Sequence, residues 1–456
     1  MKDYKKIHCI GIGGIHVSAL AKLLLSQGAE VSGSDLVKSK ITEELQGTGA
    51  DIIIGHDDAK LRKICETCEN AKDILVIYSD AVPEDDLERM AAKKLGIPQM
   101  SSYEFIGELS KDYYTIAVSG TNGKSTTTAM LGLILEAAGM DPTVIVGTKV
   151  KEWKGNIRIG KSKPRTRTSS VRGKYLVTEA DEYKAHMLKL NPKMIVLTNI
   201  EADHLDFYKD LDDIVKHFKE YVAGLPRDGV LIYNRDDVQI TRLLDYSITK
   251  NVSFGVEDVS SLKLQVPGEF NKYNAAGAAS AAKELGISNE IIKKSLENFK
   301  GTWRRFERVG ECRGALVISD YAHHPTAVAG TIKATREFYP GRRLIAVFQP
   351  HQHNRTRKLF DDFVSVLAKS KADVIIVSEI YDVAGRTSDK DKKVSSKELA
   401  QETRNKKQEI KDDANVLYAK DLKETRSMIL HYIKPEDVVL VMGAGDIDQV
   451  ARKLVK

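Results

Sequence analysis

YTIAVSGTNGKSTTT, residues 114 to 128, decides the fold. Thr115 to Ser119 is a short β-branched, apolar run that ends on glycine, which reads as a buried strand. Gly120-Thr121-Asn122-Gly123-Lys124-Ser125 follows as a turn, and Thr126 to Ala138 reads as a helix with Met130, Leu131, Leu133, Ile134 and Leu135 at apolar spacing. Strand, glycine turn, Lys-Ser and helix together make a phosphate cradle. Glycines let backbone N–H groups approach phosphate oxygens, and the helix N-terminus adds partial positive charge. Val118 stands where the strict Walker pattern has its first glycine. A turn that merely joins strand to helix has no need of a Lys-Ser pair at the helix start. The expectation is an ATP site spanning Gly120 to Thr126, with Lys124 on the terminal phosphates and the Ser125 hydroxyl on magnesium.

Downstream, two apolar runs read as strands, Tyr175 to Thr178 and Met194 to Thr198. The first ends in Glu179-Ala180-Asp181-Glu182, the second in Asn199-Ile200-Glu201-Ala202-Asp203-His204. Open α/β sheets bind ligands past the carboxyl ends of their strands. Glu179 and His204 are therefore expected as magnesium ligands near the phosphates, Glu179 with the oxygen donor that magnesium prefers. Pro267 to Asn274 opens an alanine-rich helix running to Leu285, on which Asn271 and Asn274 share a face. They suit a purine edge or a helix cap.

Upstream lies a Rossmann-type half unit. A strand from Lys6 to Ile10 leads into Gly11-Ile12-Gly13-Gly14, then a helix from Val17 to Gln27, then a second strand near Glu30. Asp35 follows the glycines by the usual interval of about 20 residues. His16 stands where the third glycine of the fingerprint belongs, so this turn fits NAD, a nucleotide sugar or no ligand. Strand signals at Asp51 to Ile54 and Ile74 to Ser79 and a helix from Leu87 complete a small α/β domain.

Beyond Gly301, strands at Leu316 to Ser319, Leu344 to Phe348, Val374 to Ser378 and Val438 to Met442 alternate with helices. Polar clusters follow two of them, Asp320-Tyr321-Ala322-His323-His324 and Gln349-Pro350-His351-Gln352-His353, and the glycine turn Gly443-Ala444-Gly445 follows the last. The fold expected is α/β in three domains: residues 1–110 Rossmann-like, 111–301 a central P-loop ATPase domain, and 302–456 Rossmann-like again.

A 456-residue chain with 42% hydrophobic and 29% charged residues has ample core, and no apolar run approaches the length of a membrane span. Net charge of +6 is mild and suits an enzyme that handles phosphates and carboxylates. Neither nucleic acid nor membrane insertion is expected. The amino terminus lacks a secretory signal, which favours the cytoplasm. Cys65-Glu-Thr-Cys68 has redox or zinc spacing without a second half, so reduced structural thiols are expected. Lys149 to Lys174, basic but for Glu152, reads either as a grip on an anionic substrate or as a solvated loop. The charged stretch Ser388 to Asp413 reads as solvated helix and loop.

GIGGIHVSALAKLL, SGSD, SGTNGKSTTT, EADE, TNIEADHLD, GEFNKYN, RRFE, DYAHHPT, FQPHQHNRTR and GAGDI occur in one order along nearly the whole chain. In this the sequence resembles the Mur ligases, and in particular the branch that attaches the first residue of the peptidoglycan stem. The resemblance implies UDP-N-acetylmuramate and L-alanine as substrates, ATP and Mg2+ in the reaction, and a monomer or homodimer. It places the UDP diphosphate on Gly11, Gly13 and Gly14, with Asp35 and Ser79 near the nucleotide sugar. It implies adenine contacts from Asn271 and Asn274, a phosphate contact from Arg305, and two magnesium ions held with Glu179 and His204. Asp320, Tyr321, His323, His351 and Arg355 correspond to the amino-acid end, His323 as proton acceptor. Asn122, Ser125, Phe270 and Gln352 depart from the usual pattern of that branch. Addition of glycine, serine or a recycled peptide is the alternative within the family, and an NAD-dependent oxidoreductase is the alternative outside it.

Overall fold

The computed structural model describes residues 4, 6–66, 70–161, 175–204, 207–246, 249–382 and 393–455. Cys68, the basic residues from 163 to 174 and the start of the charged stretch at 388–392 lie outside them.

Three sheets carry the chain. Strands β1 (Lys6–Ile10), β2 (Glu30–Asp35), β3 (Asp51–Ile54), β4 (Ile74–Tyr78) and β5 (Gln99–Ser101) lie parallel in the order β3-β2-β1-β4-β5. The order reverses beside β1, so the turn after β1 opens at a switch point, where α/β sheets bind ligands.

The second sheet takes β6 (Tyr114–Ser119), β7 (Thr143–Val150), β8 (Gly155–Arg158), β9 (Tyr175–Ala180), β10 (Met194–Leu197), β11 (Val230–Asn234) and β12 (Lys250–Phe254) in the order β12-β11-β10-β6-β9-β7-β8. Only the β7–β8 pair is antiparallel. Ser119 at the end of β6 is in register with Ala180 on one side and Leu197 on the other. The ends of three neighbouring strands thereby bring the glycine turn, the 179–182 cluster and Thr198–Asn199 to one edge. Parallel strands covered on both faces read as continuous apolar runs, and all four residues of β10 are buried.

The third sheet orders β13 (Glu307–Cys312), β14 (Ala315–Asp320), β15 (Leu344–Phe348), β16 (Val374–Ser378), β17 (Asn415–Ala419) and β18 (Val438–Met442) as β13-β14-β18-β15-β16-β17, with β13 alone antiparallel. Its strands send alternate residues to two cores. Ile318, Ala346, Phe348, Ile375 and Leu440 point to one face, and Val317, Ile345, Val347, Ile376 and Val439 to the other.

By internal packing the chain forms two compact units. The first and second sheets belong to one; the third sheet belongs to the other, together with residues 204–209 and 256–273. Inside the first unit the two sheets are joined by polar bonds. The Asn156 amide donates to Ser18 Oγ at 3.0 Å and to the Ile15 carbonyl, and the Asn191 N–H donates to Ser110 Oγ at 2.9 Å. The proximal part of the basic run is likewise tied into the fold. Arg158 on β8 pairs with Glu136 at 2.9 Å and Asp141 at 3.0 Å. Within the charged stretch Ser396–Glu409 is a helix, as read, yet its Lys407 is buried against the Ser370 carbonyl and Asp412. No helix among the described residues is long and apolar enough to cross a membrane.

Candidate active site

The turn after β6 is held from behind by the turn after β10. Asn122 N–H donates to Asn199 Oδ1 at 2.9 Å, and the Asn122 carbonyl accepts from Thr198 Oγ1 at 2.6 Å and Asn199 Nδ2 at 2.9 Å. Thr121 exchanges bonds with the Glu201 backbone, accepting on Oγ1 at 2.9 Å and donating from it at 3.2 Å. Gly123 caps the helix Lys124–Ala137 with φ of +88°, and a Cβ there would run into Asn274 Oδ1. Only glycine fits on both counts.

Lys124 Nζ donates to the Gly120 carbonyl at 2.8 Å and to Glu182 Oε2 at 2.6 Å, with Asp181 Oδ1 at 3.9 Å. Burial alone would lower its pKa. The Glu182, Asp181 and Glu179 carboxylates more than offset that and hold it above the ordinary lysine value, so the ammonium stays charged. Beside it, Ser125 Oγ donates to Glu179 Oε2 at 2.9 Å, and the Gly147 N–H donates to Glu179 Oε1. A hydroxyl and a carboxylate side by side at a helix start are an oxygen donor set that fits magnesium. Thr126 is buried in the first helical turn.

Asn274 Oδ1 accepts from Thr127 Oγ1 at 3.3 Å, and Asn271 Nδ2 donates to the Pro267 carbonyl at 2.7 Å. His204 has φ of +52° and its carbonyl accepts from the N–H groups of Phe207 and Tyr208.

In the first sheet, Gly11 and Ile12 N–H groups both donate to the Ser34 carbonyl at 2.9 Å, and Gly13 N–H donates to Asp35 Oδ2 at 2.8 Å. Asp35 thus pins the glycine turn itself. A Cβ on Gly13 would lie 2.8 Å from that carboxylate, which explains the glycine there. Gly14 caps the following helix, Ile15–Ser26, without a side-chain bond, which leaves a helix N-terminus suited to an anion. Ser79 N–H donates to the Ile10 carbonyl, and Gly11 packs against the Ser79 side chain. Gly11, Gly13, Gly14, Asp35 and Ser79 are one cluster.

The third sheet gathers the remaining residues. Asp320 at the end of β14 accepts from Phe306 N–H at 2.7 Å and Ala322 N–H at 2.8 Å, so its carboxylate fastens two loops. Burial raises its pKa above the usual carboxylate range, while Arg305 and these amides pull the other way. Arg305 lies with its guanidinium 4.7 Å from the Tyr321 ring centre. His323 Nδ1 donates to the Tyr321 carbonyl at 2.9 Å, which leaves the basic lone pair on Nε2. The His323 ring meets His351 edge-on at 5.7 Å, and Arg355 Nη1 donates to His351 Nδ1 at 3.1 Å.

Two residues here were not singled out from sequence. Tyr381 stacks on His351 at 5.7 Å. Arg304, buried, donates to the Gly443 and Gly445 carbonyls and so ties the RRF segment to the GAG turn. The doubled arginine was the available signal, but which of the two turns inward depends on tertiary packing.

Three family models match in chain order: Mur ligase family, catalytic domain, over residues 6–114; Mur ligase middle domain over 118–261; and Mur ligase, glutamate ligase domain, over 304–445. A UDP-N-acetylmuramate–L-alanine ligase of Sulfurihydrogenibium sp. (strain YO3AOP1) is 38% identical over 99% of this chain and 97% of its own. The protein of that name from Clostridium novyi (strain NT) is 37% identical over 99% and 97%. Among solved structures, the UDP-N-acetylmuramate-alanine ligase of Thermotoga maritima superimposes with a TM-score of 0.75 at 25% identity, covering 99% of this chain and 98% of that one. Three sheets, a phosphate turn on the second, and matches from end to end lead to one conclusion: the chain is an enzyme, a ligase, and belongs to the Mur ligase family.

Proposed function

We propose that this chain joins L-alanine to the lactyl carboxylate of UDP-N-acetylmuramate, converting ATP to ADP and phosphate. The observation that carries the reading is the end-to-end match to chains named for that reaction. A free carboxylate is a poor electrophile and needs activation. One carboxylate oxygen attacks the γ-phosphorus, ADP departs, and an acyl phosphate results. The amine then attacks the acyl carbon, the tetrahedral adduct collapses, and phosphate leaves with one former carboxylate oxygen.

Phosphoryl transfer asks mainly for positioning and neutralised charge. The Thr121 and Asn122 N–H groups are taken by Asn199, so the phosphates meet the N-terminus of the helix Lys124–Ala137, and Lys124 moves from Glu182 to the terminal phosphate oxygens. The Ser125 hydroxyl and Glu179 would hold one magnesium ion, and His204 would serve a second. Bound there, magnesium supplies positive charge to the phosphate oxygens. Asn271 and Asn274 serve the adenine side. Gly11, Gly13 and Gly14 receive the UDP diphosphate at the bare helix N-terminus, framed by Asp35 and Ser79. Arg305 contributes charge to the transferring phosphoryl group. Tyr321, His351 and Arg355 receive the amino acid, Arg355 through its planar fork on the carboxylate. His323 Nε2 takes the proton that the attacking amine releases, and Asp320 keeps the Phe306 and Ala322 loops in place around it.

Purified protein given ATP, Mg2+, UDP-N-acetylmuramate and an equimolar mixture of amino acids and stem tripeptide is expected to yield one product mass, that of the alanyl conjugate. Phosphate release should require all four components. A glycyl, seryl or tripeptide conjugate redirects the proposal within the family. Equal ATP hydrolysis without the sugar nucleotide overturns it.

A further inference from the structure

Between the two glycine turns of the first compact unit lies a cluster that the proposed reaction does not use. Tyr103, on the helix Ser102–Ser110, donates from its hydroxyl to Asp181 Oδ2 at 3.0 Å, and His16 Nδ1 lies 3.4 Å from the Tyr103 hydroxyl oxygen. A phenol has one proton, so with Asp181 receiving it the His16 Nδ1–H is the donor into the phenol oxygen. The Tyr103 ring stacks on His186 with centroids 3.9 Å apart and planes 14° from parallel. His186 Nε2 in turn faces Asp80 Oδ2 at 3.2 Å.

These residues come from both sides. His16 stands in the first helical turn after Gly14, and Asp80 follows Ser79, so two flanks of the first glycine turn are engaged. Asp181 and His186 follow β9, and Asp181 is the second carboxylate facing Lys124, at 3.9 Å. Burial first, then the Asp181 charge, pushes the Tyr103 pKa well above its ordinary value, which keeps the phenol neutral and donating. Burial lowers the His186 pKa, against the pull of Asp80 and Asp181, so this ring is neutral. Neutral rings stacked face to face hold the phenol at a fixed height above Asp181 without adding a competing cation.

We propose that Tyr103 is a positioning residue for the phosphate-loop lysine, acting through Asp181 and anchored at the nucleotide-sugar side by His16. Lys124 must leave Glu182 for ATP, and the Asp181 carboxylate is what continues to aim it. Asp181 accepts the Tyr103 hydroxyl on Oδ2 and, at 3.4 Å, the Tyr183 N–H on Oδ1; the shorter Oδ2 bond fixes the direction in which Oδ1 is presented, and losing it loosens that aim. The proposal rests on the phosphate turn binding ATP, as argued above.

The test is a double-mutant cycle of Tyr103→Phe and Asp181→Asn in the full chain, read by affinity for a non-hydrolysable ATP analogue with Mg2+ and by steady-state kinetics. Tyr103→Phe keeps the stack on His186 and loses only the hydroxyl. It is expected to weaken the analogue about fivefold to tenfold and to lower kcat about tenfold, leaving the KM for the amino acid unchanged. With Asp181→Asn already present, adding Tyr103→Phe should cost less than twofold more. Additive effects in the cycle, or analogue affinity in Tyr103→Phe within twofold of the parent, overturn the proposal. The binding arm uses no sugar nucleotide, so it decides the matter even if the substrate assignment fails. A merely structural role would lower the melting temperature and raise every KM together.

Discussion

Lys124→Met is expected to lower kcat by about 10² to 10³, the usual cost of removing one preorganised charge from a transition state. The lysine is not a flexible surface cation. Its ammonium sits on two backbone carbonyls of the turn, Gly120 at 2.8 Å and Thr121 at 3.3 Å, and on Glu182 at 2.6 Å. Methionine matches the length of the stem while removing the charge. Glu182, Asp181 and Glu179 then face the triphosphate uncompensated, so ATP affinity should fall as well. ADP release measured at saturating substrates, with circular dichroism to confirm folding, checks this. A folded variant with kcat within threefold of the parent would show that the turn after β6 is not where phosphate is transferred.

Glu88→Ala is the second large effect, and it acts on stability. Glu88 and His8 are both 0% exposed, with Glu88 Oε1 3.4 Å from His8 Nε2. The other Glu88 oxygen accepts from the Ser34 hydroxyl, and His8 Nδ1 bonds Ser32 Oγ at 2.9 Å. Alanine leaves the Ser34 hydroxyl unmatched inside the first sheet and takes the nearby carboxylate away from His8 Nε2, which among the described residues has no hydrogen bond of its own. Removing one partner from such a buried set costs about 3 kcal/mol. For a unit of this size that is a fall in melting temperature of roughly 6 to 12 °C. The consequence reaches the ligand, because the Ser34 carbonyl holds the Gly11 and Ile12 N–H groups. The KM for UDP-N-acetylmuramate should therefore rise while the KM for the amino acid stays put. Differential scanning calorimetry and initial rates test the pair of effects. An unchanged melting temperature would mean that water replaces the carboxylate at no cost.

The strands that carry the site were legible because they are buried on both faces. Leu344–Phe348, Val374–Ser378 and Val438–Met442 are unbroken apolar runs, and such runs need no partner to be recognised. Edge strands were missed for the converse reason. Glu307–Cys312 is ERVGEC and Gln99–Ser101 is three residues long, so the neighbour that pairs with each makes it a strand. The hairpin Thr143–Arg158 lay partly under the basic run, whose charge masked the alternation.

The phosphate and glycine turns were legible because their conformations demand particular residues. What a side chain does after the chain folds was less so. Asn271 and Asn274 share a helix face as read, but nothing local foretells that one donates to the Pro267 carbonyl and the other backs Gly123. Asp320 was read at the amino-acid end, and its first duty in the fold is to bind the Phe306 and Ala322 amides. Tyr103 was invisible: its partners His16, Asp181 and His186 are brought to it only when the first two sheets pack into one unit.

The central claim is that the sugar-nucleotide carboxylate is activated by phosphoryl transfer. Its most direct test uses UDP-N-acetylmuramate carrying 18O in both lactyl carboxylate oxygens, turned over with ATP, Mg2+ and L-alanine, with the released phosphate analysed by mass spectrometry. One 18O atom per phosphate is the predicted result, since the oxygen that attacks the γ-phosphorus leaves with it. Phosphate free of label, formed alongside the amide, would contradict the account.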